Sequence, residues 1–470
     1  MRYIAGLTLL VVTSSLCAGA QPPEAQTTIA DQKDVAVTVY NGGVSLVRDV
    51  RETNLPDGEF KLKFMDVAEQ IRPETVSLKS LAAPGSVAVL EQNYEYDLMS
   101  PQKLLEKYVG KKVRLVNFSK QIGFEEVTAE LLSTNQGSVF KVGDEIYLGH
   151  PGNVVLPEIP DNLIAKPSLI WLLENKRPRQ RLEVTYLTGG ISWKADYVLT
   201  LSRDDKTLDL AGWVTLDNQS GATYTNARLK LVAGEVSVVE QSRPPQMALK
   251  RDMAMAAEAG AMLKQEAFAE YHLYTMPRRT TIKQNQSKQV ILMEAFGVGC
   301  EKNYEFRGQQ SFYSRHVSPM RDQHVDVYLK FKNEEDNQLG VPLPGGIMRI
   351  YQADSEGMMQ FAGEDRIKHT PKNEDVRLRM GKAFDVVADR IQKDYSRISD
   401  RVHESEFEIT IRNHKDTDIV ADVVEPMPGD WDMVDNSHKF DKRDAHTAVF
   451  HIPVQSDGEA RLTYRVRVRY

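Results

Sequence analysis

Strict alternation of apolar and polar positions is the strongest signal in the chain. Phe60, Leu62 and Phe64 alternate with Lys61 and Lys63 just after Pro56-Asp57-Gly58, which predicts a turn and then a strand with one buried face. Val325, Val327, Leu329 and Phe331 repeat the pattern, as do Phe407, Ile409 and Ile411. The last strand is the clearest. Leu462, Tyr464, Val466, Val468 and Tyr470 share one face, and Arg461, Thr463, Arg465, Arg467 and Arg469 share the other. Three alternating runs, Trp213–Asn218, Val327–Asn333 and Phe407–Asn413, each end in Asn before a polar turn. Asn tolerates turn conformations and caps the local backbone with its side chain.

Helix signals are few. Ser100-Pro101 reads as an N-cap followed by the first helical position, with Leu104, Leu105 and Tyr108 as its apolar positions and Gly110 as its stop. Short strand-like runs follow at 113–116, 128–132, 139–142 and 145–148, which suggests a small barrel-like β unit. Residues 241–288 break the pattern. Pro244-Pro245 opens a stretch with Met247, Met253, Met255 and Met262 among alanines, then Tyr271-His272-Leu273-Tyr274. The Ala/Met part is helix-prone. It reads either as a mobile or self-packed insertion, or as an adaptable partner surface bearing Met253, Met255, Tyr271 and Tyr274.

The expected fold is therefore mainly β: successive antiparallel, immunoglobulin-like β-sandwich modules, a small N-terminal β unit and one helix-prone insertion. The expected divisions are a signal peptide at 1–20, a disordered leader at 21–33, an N-terminal β-rich domain at 34–165, a β-sandwich domain at 166–305 carrying the 241–288 insertion, and a C-terminal β-sandwich region at 306–470. The signal peptide rests on the positive start at Arg2, the short apolar run from Ile4 to Val12 and the close in Ala18-Gly19-Ala20, which predicts a cut between Ala20 and Gln21. The apolar run is too short to remain as a bilayer-spanning helix. A lipoprotein anchored at Cys17 is the rival reading, and Leu16 before the cysteine disfavours it. The expectation is an exported periplasmic or extracellular protein.

Charge removes several partners. Lys and Arg number 59 against 66 Asp and Glu, for a formal charge of −7, one unit more negative without Arg2. Such a balance suits neither nucleic acid nor an anionic membrane surface. After cleavage only Cys300 remains, so no internal disulfide is expected. A buried small hydrophobe is the reading of that cysteine.

At Leu187–Tyr197, Leu208–Gly221 and Leu231–Glu235 the chain resembles a known family, and it continues to do so through Asn337–Gly345, Phe361–Asp365 and His369-Thr370-Pro371. That family is built on domain of unknown function 4139 and includes mucoidy-inhibitor-like exported proteins. The resemblance implies an all-β, sandwich-type envelope protein with no established catalytic set. It also implies long strands at 384–398, where Phe384, Val387, Ala388, Ile391, Tyr395 and Ile398 fit helical spacing. Strand is the expectation taken there.

The chain carries few chemical motifs. The sequence holds no His-Glu-x-x-His zinc motif, no phosphate-cradling glycine loop and no complete Gly-x-Ser-x-Gly elbow. His438, Asp441, Asp444, His446 and His451 are the densest group of ligand types, but their spacing matches no standard metal arrangement. Glu364-Asp365 near Asp354 offers carboxylates for glycosidic cleavage, with polar turns as the plainer reading. The arginine face of the last strand admits three readings: a surface for acidic polysaccharide built on Arg465, Arg467 and Arg469, the terminal strand of an outer-membrane barrel, or a solvated face whose like charges discourage edge pairing. No cofactor is expected. A non-enzymatic module for an envelope protein or polysaccharide leads; a hydrolase of polysaccharide or peptide with an unrecognised site is the alternative.

Overall fold

A computed structural model describes residues 22–95, 99–119, 123–135, 137–149, 153–159, 166–234, 236–237 and 263–470. The expected signal, Cys17, the Ala20/Gln21 cut, Met253 and Met255 lie outside the described residues. The chain divides into two units, one containing 1–37, 46–190 and 219–227 and the other 38–45, 191–218 and 228–470.

In the first unit the strand Gly58–Met65 is central. It pairs antiparallel with Ser168–Asn175, which pairs on with Val87–Glu95. The expected alternation holds: Phe60, Leu62 and Phe64 are buried, and they stand opposite Leu173, Trp171 and Leu169. Trp171 meets Phe64 edge-on, with ring centroids 5.7 Å apart. The strands Lys112–Ser119, Gly123–Ser133, Val139–Val142, Glu145–Leu148 and Asn153–Val155 form a separate five-stranded sheet. The helix Pro101–Lys107 precedes that sheet, and the Ser100 hydroxyl accepts from Lys103 N as its N-cap. Tyr108, Val113, Leu115, Ala129, Leu131 and Phe140 make its core.

The expected disordered leader is corrected from residue 22 onward. Glu24–Thr27 is a strand lying parallel to Lys61–Phe64. The following 3-10 turn is closed by a capping box between Thr28 and Asp31. Polar composition gave no hint of this, because the segment is held by backbone pairing and by a buried arginine, Arg51, that donates to Thr27 O.

The second unit is dominated by a 13-stranded sheet. Its main path runs Met359–Ile367, Gly346–Ala353, Ile191–Leu201, Thr207–Asn218, Gln286–Arg307, Met320–Lys332, Asp375–Ser399, Val402–Asn413, Gly458–Arg469 and Asp430–Asn436. Ile419–Pro426 branches from Gln286–Arg307 as a parallel partner and continues through Thr447–Val454 to Phe440–Asp444. This branch supplies the second layer of a C-terminal sandwich, whose core joins Phe407, Ile409, Leu462, Tyr464 and Val466 to Val423, Phe450 and Ile452. The strand Gln286–Arg307 runs unbroken across the boundary expected at 305/306. Residues 384–398 lie within the strand Asp375–Ser399.

Part of the expected insertion is also corrected. Lys264–Phe268, Tyr271–Thr275 and Thr280–Ile282 are strands, and Tyr271–Thr275 pairs with Lys230–Ala233. Tyr271-His272-Leu273-Tyr274 therefore belongs to a sheet; alternation across only four residues was too short to announce it.

The three Asn-terminated runs all lie in the one large sheet. Their asparagines are fully buried. Asn218 Nδ2 donates to Ile282 O and Lys283 O, Asn333 Nδ2 to Val341 O and Pro371 O, and Asn413 Nδ2 to Thr417 O and Gln455 O. Asn175 in the first unit does the same for Pro56 O and Arg177 O. Each amide is a backbone substitute that satisfies turn carbonyls shut away from water. We expect Asn413→Ala to cost about 1–3 kcal/mol, the penalty for buried acceptors left unpaired. Urea unfolding of the variant measures it.

Candidate functional site

In the second unit the five strands from Met359–Ile367 to Gln286–Arg307 turn one face inward and leave the other partly open. Leu199, Leu201, Leu208, Leu210, Met348 and Ile350 alternate inward and are buried. The intervening positions build a polar relay across adjacent strands. Arg349 Nε lies 3.2 Å from Glu364 Oε2, and its Nη1 donates to Asp196 Oδ1 at 3.1 Å. Thr215 donates to Asp196 Oδ2 at 3.1 Å, and Gln289 Nε2 donates to Thr215 at 3.2 Å. Every strand contributes one member, so the relay holds these five side chains against one another, with Asp196 and Thr215 buried at its middle.

Beside this relay runs an aromatic row. Tyr351 and Phe361 stand opposite one another, edge-on at 5.7 Å. Phe361 is 58% exposed, and Met359 on the same strand is 47% exposed. At the other end Phe296 is 67% exposed. It sits in a bulge of Gln286–Arg307 where Gly297 takes φ +67° and donates its N–H to Asp209. The left-handed glycine re-aims the strand and turns the phenyl ring outward. No sequence pattern marks this face on its own. Its signal was the alternation Ile347, Arg349, Tyr351 before the Asp354 turn, which looks like any strand until its neighbours are known.

Elsewhere in this unit a concavity of about 380 Å³ is lined by Lys206, Gly299, Cys300, Glu301, Lys330, Phe331, Lys332, Asn337 and Asp375. Cys300 is half-buried, and burial first, then Asp205, Asp204 and Glu301, pushes its thiol up to about 11. A thiol so protonated at neutral pH is a poor nucleophile. Asn337 bridges the cleft wall, bonding Gly299 N and O and Lys332 O.

The remaining sequence candidates separate. Glu364 serves Arg349, Asp365 accepts from Arg379 N, and Asp354 caps its own turn through Glu356 N and Met358 N. They act as turn and pairing groups. His451 lies between Asp422 and Asp441, at 2.6 and 3.3 Å, whereas His438 contacts Ser437 and Asp444 caps His446 N. Among the described residues no group of three such side chains is placed to share a metal. Tyr274 is buried and donates to Pro342 O; Tyr271 is half-buried.

The arginine face corrects one reading. The strand Gly458–Arg469 is no edge, because Val402–Asn413 and Asp430–Asn436 flank it. Its arginines are matched from both sides. Arg465 reaches Asp394, Glu404 and Glu406; Arg467 reaches Glu404; Arg469 reaches Asp430 and Asp432. Its apolar residues belong to the sandwich core. Like charges along one strand were visible in the sequence, but their compensation depends on strand order.

The hydrogen bonds of Arg467 and Arg465 hold Glu404 below the usual carboxylate range. A lowered folded pKa gives stability that is present above the ordinary value near ~4.3 and lost as pH falls through the folded value. We expect Glu404→Gln to cost up to about 1 kcal/mol at neutral pH, with the gap to the parent closing in acid. Parallel melts from neutral pH to strong acid test this.

Among the described residues no helix is long and apolar enough to cross a membrane. A family model described as a domain of unknown function, DUF4139, matches residues 182–470. No curated protein matches the chain.

Proposed function

From the premise that the chain belongs to the DUF4139 family, a family whose description assigns no activity, we propose that it is a non-enzymatic binding module of the cell envelope. Its working surface is the outward face of the five strands in the second unit. The observation that carries this reading is the relay Glu364–Arg349–Asp196–Thr215–Gln289 beside the exposed aromatics. Side chains locked by mutual hydrogen bonds lose little entropy on binding, and pre-organisation of this kind raises affinity. Export follows the N-terminal signal reading, and an envelope role follows from export.

The alternative hydrolase requires an acid, base or nucleophile poised over a concavity. The described cleft contains the Cys300 thiol, held protonated, among Lys206, Lys330, Lys332, Glu301 and Asp375, with no activated nucleophile among these groups.

A photo-crosslinking residue placed at Phe361 tests the proposal in intact cells. Adducts from this position, with none from the same residue placed at Arg467, are expected. Equal yields from both positions, or none from Phe361, would overturn it.

A further inference from the structure

Resting on that reading of the face, we infer that its ligand is a neutral, extended glycan chain lying across the strands. The register aligns Phe361 with Tyr351, Tyr351 with Thr200, Thr200 with Asp209, and Asp209 with the bulge that carries Phe296. Five strands are crossed in four steps, so the row is about 19 Å long at the usual interstrand spacing. That length suits several sugar units in file rather than a monosaccharide.

The chemistry of the row alternates as a sugar chain does. Pyranose rings present flat C–H faces, which pack on exposed aromatic rings, and a rim of hydroxyls, which need donors and acceptors. The aromatic ends are Phe361 with Tyr351 and, opposite, Phe296, at 58% and 67% exposure for the two phenylalanines. Between them lie Thr200 and Asp209. Asp209 uses one carboxylate oxygen for Gly297 N, and among the described residues its other oxygen, the Thr200 hydroxyl and the Tyr351 hydroxyl take no hydrogen-bond partner. These three groups are open to a ligand.

Charge selects among glycans. Asp209, Glu294 and Glu364 flank the row, and Arg349 beside them is already committed to Asp196 and Glu364. An anionic polymer would meet Asp209 and Glu294, which take no ion-pair partner among the described residues, whereas a neutral chain would not be repelled by them. The arginines of the terminal strand are matched by carboxylates on both sides and make a poor competing site for acidic polysaccharide.

The test is binding of the full-length protein to an array of neutral and acidic oligosaccharides of graded length. Binding is expected to neutral chains of three or more units, with a loss of roughly tenfold or more in Phe361→Ala and in Phe296→Ala, as for exposed aromatic anchors. Tyr351→Phe should weaken binding less than Tyr351→Ala does. Arg467→Ala should bind like the parent. No binding anywhere on the array, a preference for acidic chains, or indifference to both phenylalanine variants would overturn the inference. If crosslinks still form at Phe361 in cells under that outcome, the face is a binding surface for something other than a glycan. If they do not, the functional reading fails as well.

Discussion

Replacing Glu425 by Gln is expected to destabilise the second unit by about 3–5 kcal/mol, the cost of leaving a buried charge without its partner. Arg390 and Glu425 are both buried, and Arg390 Nη2 donates to Glu425 Oε1 at 2.6 Å. Tyr313 donates to Glu425 Oε2 at 2.7 Å, and Tyr464 lies 3.0 Å from the Tyr313 hydroxyl. Burial, reinforced by the Glu425 charge, drives both tyrosines well above their ordinary pKa, so they remain donors. Arg390 Nε and Nη1 take no hydrogen-bond partner among the described residues. The guanidinium carbon instead stands 5.1 Å from the Phe306 ring, 5.2 Å from Phe312 and 5.8 Å from Phe407. Aromatic faces compensate part of a desolvated cation, but only Glu425 supplies full charge. Gly308 makes room for it, since a Cβ there would fall 2.2 Å from Glu425 Oε2.

Glu425→Gln keeps the shape and one acceptor oxygen, which can serve Tyr313, but removes the charge and turns an NH2 donor toward Arg390. The double variant Arg390→Met/Glu425→Gln is expected to lose less than the sum of its single changes, because no orphan charge remains. Urea unfolding with hydrogen exchange over the sandwich strands would measure both. Strict additivity, or a loss below 1 kcal/mol for Glu425→Gln, would show that the pair is not the keystone of this core.

How much of this was legible in the sequence depends on the range of the interactions. The strand at Phe60–Phe64 and the cap at Ser100 declared themselves because period-two alternation and an N-cap are local rules. The carbonyl-bracing asparagines were visible as a recurring residue at strand ends, although their partners were not. Arg390 and Glu425 were invisible: 35 residues apart, on strands whose adjacency no pattern records, they read as ordinary outward charges. The row from Phe361 to Phe296 hid for the same reason, since it is assembled from five strands spread over residues 200–361. The strand Glu24–Thr27 was misjudged because a short polar segment carries no alternation, and what secures it, pairing with Lys61–Phe64 and the Arg51 bond to Thr27 O, lies far off in the sequence.

That segment leads to the second large effect. Arg51→Met is expected to destabilise the first unit by about 3–5 kcal/mol and to release Glu24–Thr27 first. Arg51 is fully buried, with Nε and Nη2 donating to Asp49 Oδ2 at 3.1 and 2.8 Å. Its Nη1 donates to Thr27 O at 3.1 Å, and its guanidinium carbon lies 3.6 Å from the Phe64 ring centroid. One side chain therefore neutralises a buried carboxylate, ties down the N-terminal strand and stacks on the residue that meets Trp171. Removal strands Asp49, whose Oδ1 already takes no hydrogen-bond partner among the described residues. Lysine at this position would keep the charge but not the planar fork, and it cannot serve Asp49 and Thr27 together. Arg51→Lys should accordingly recover part of the global stability while the 24–27 amides stay unprotected in hydrogen exchange. If Arg51→Lys restored protection there in full, parallel pairing with Lys61–Phe64 alone would suffice to hold the N-terminal strand, and the guanidinium tether would be dispensable.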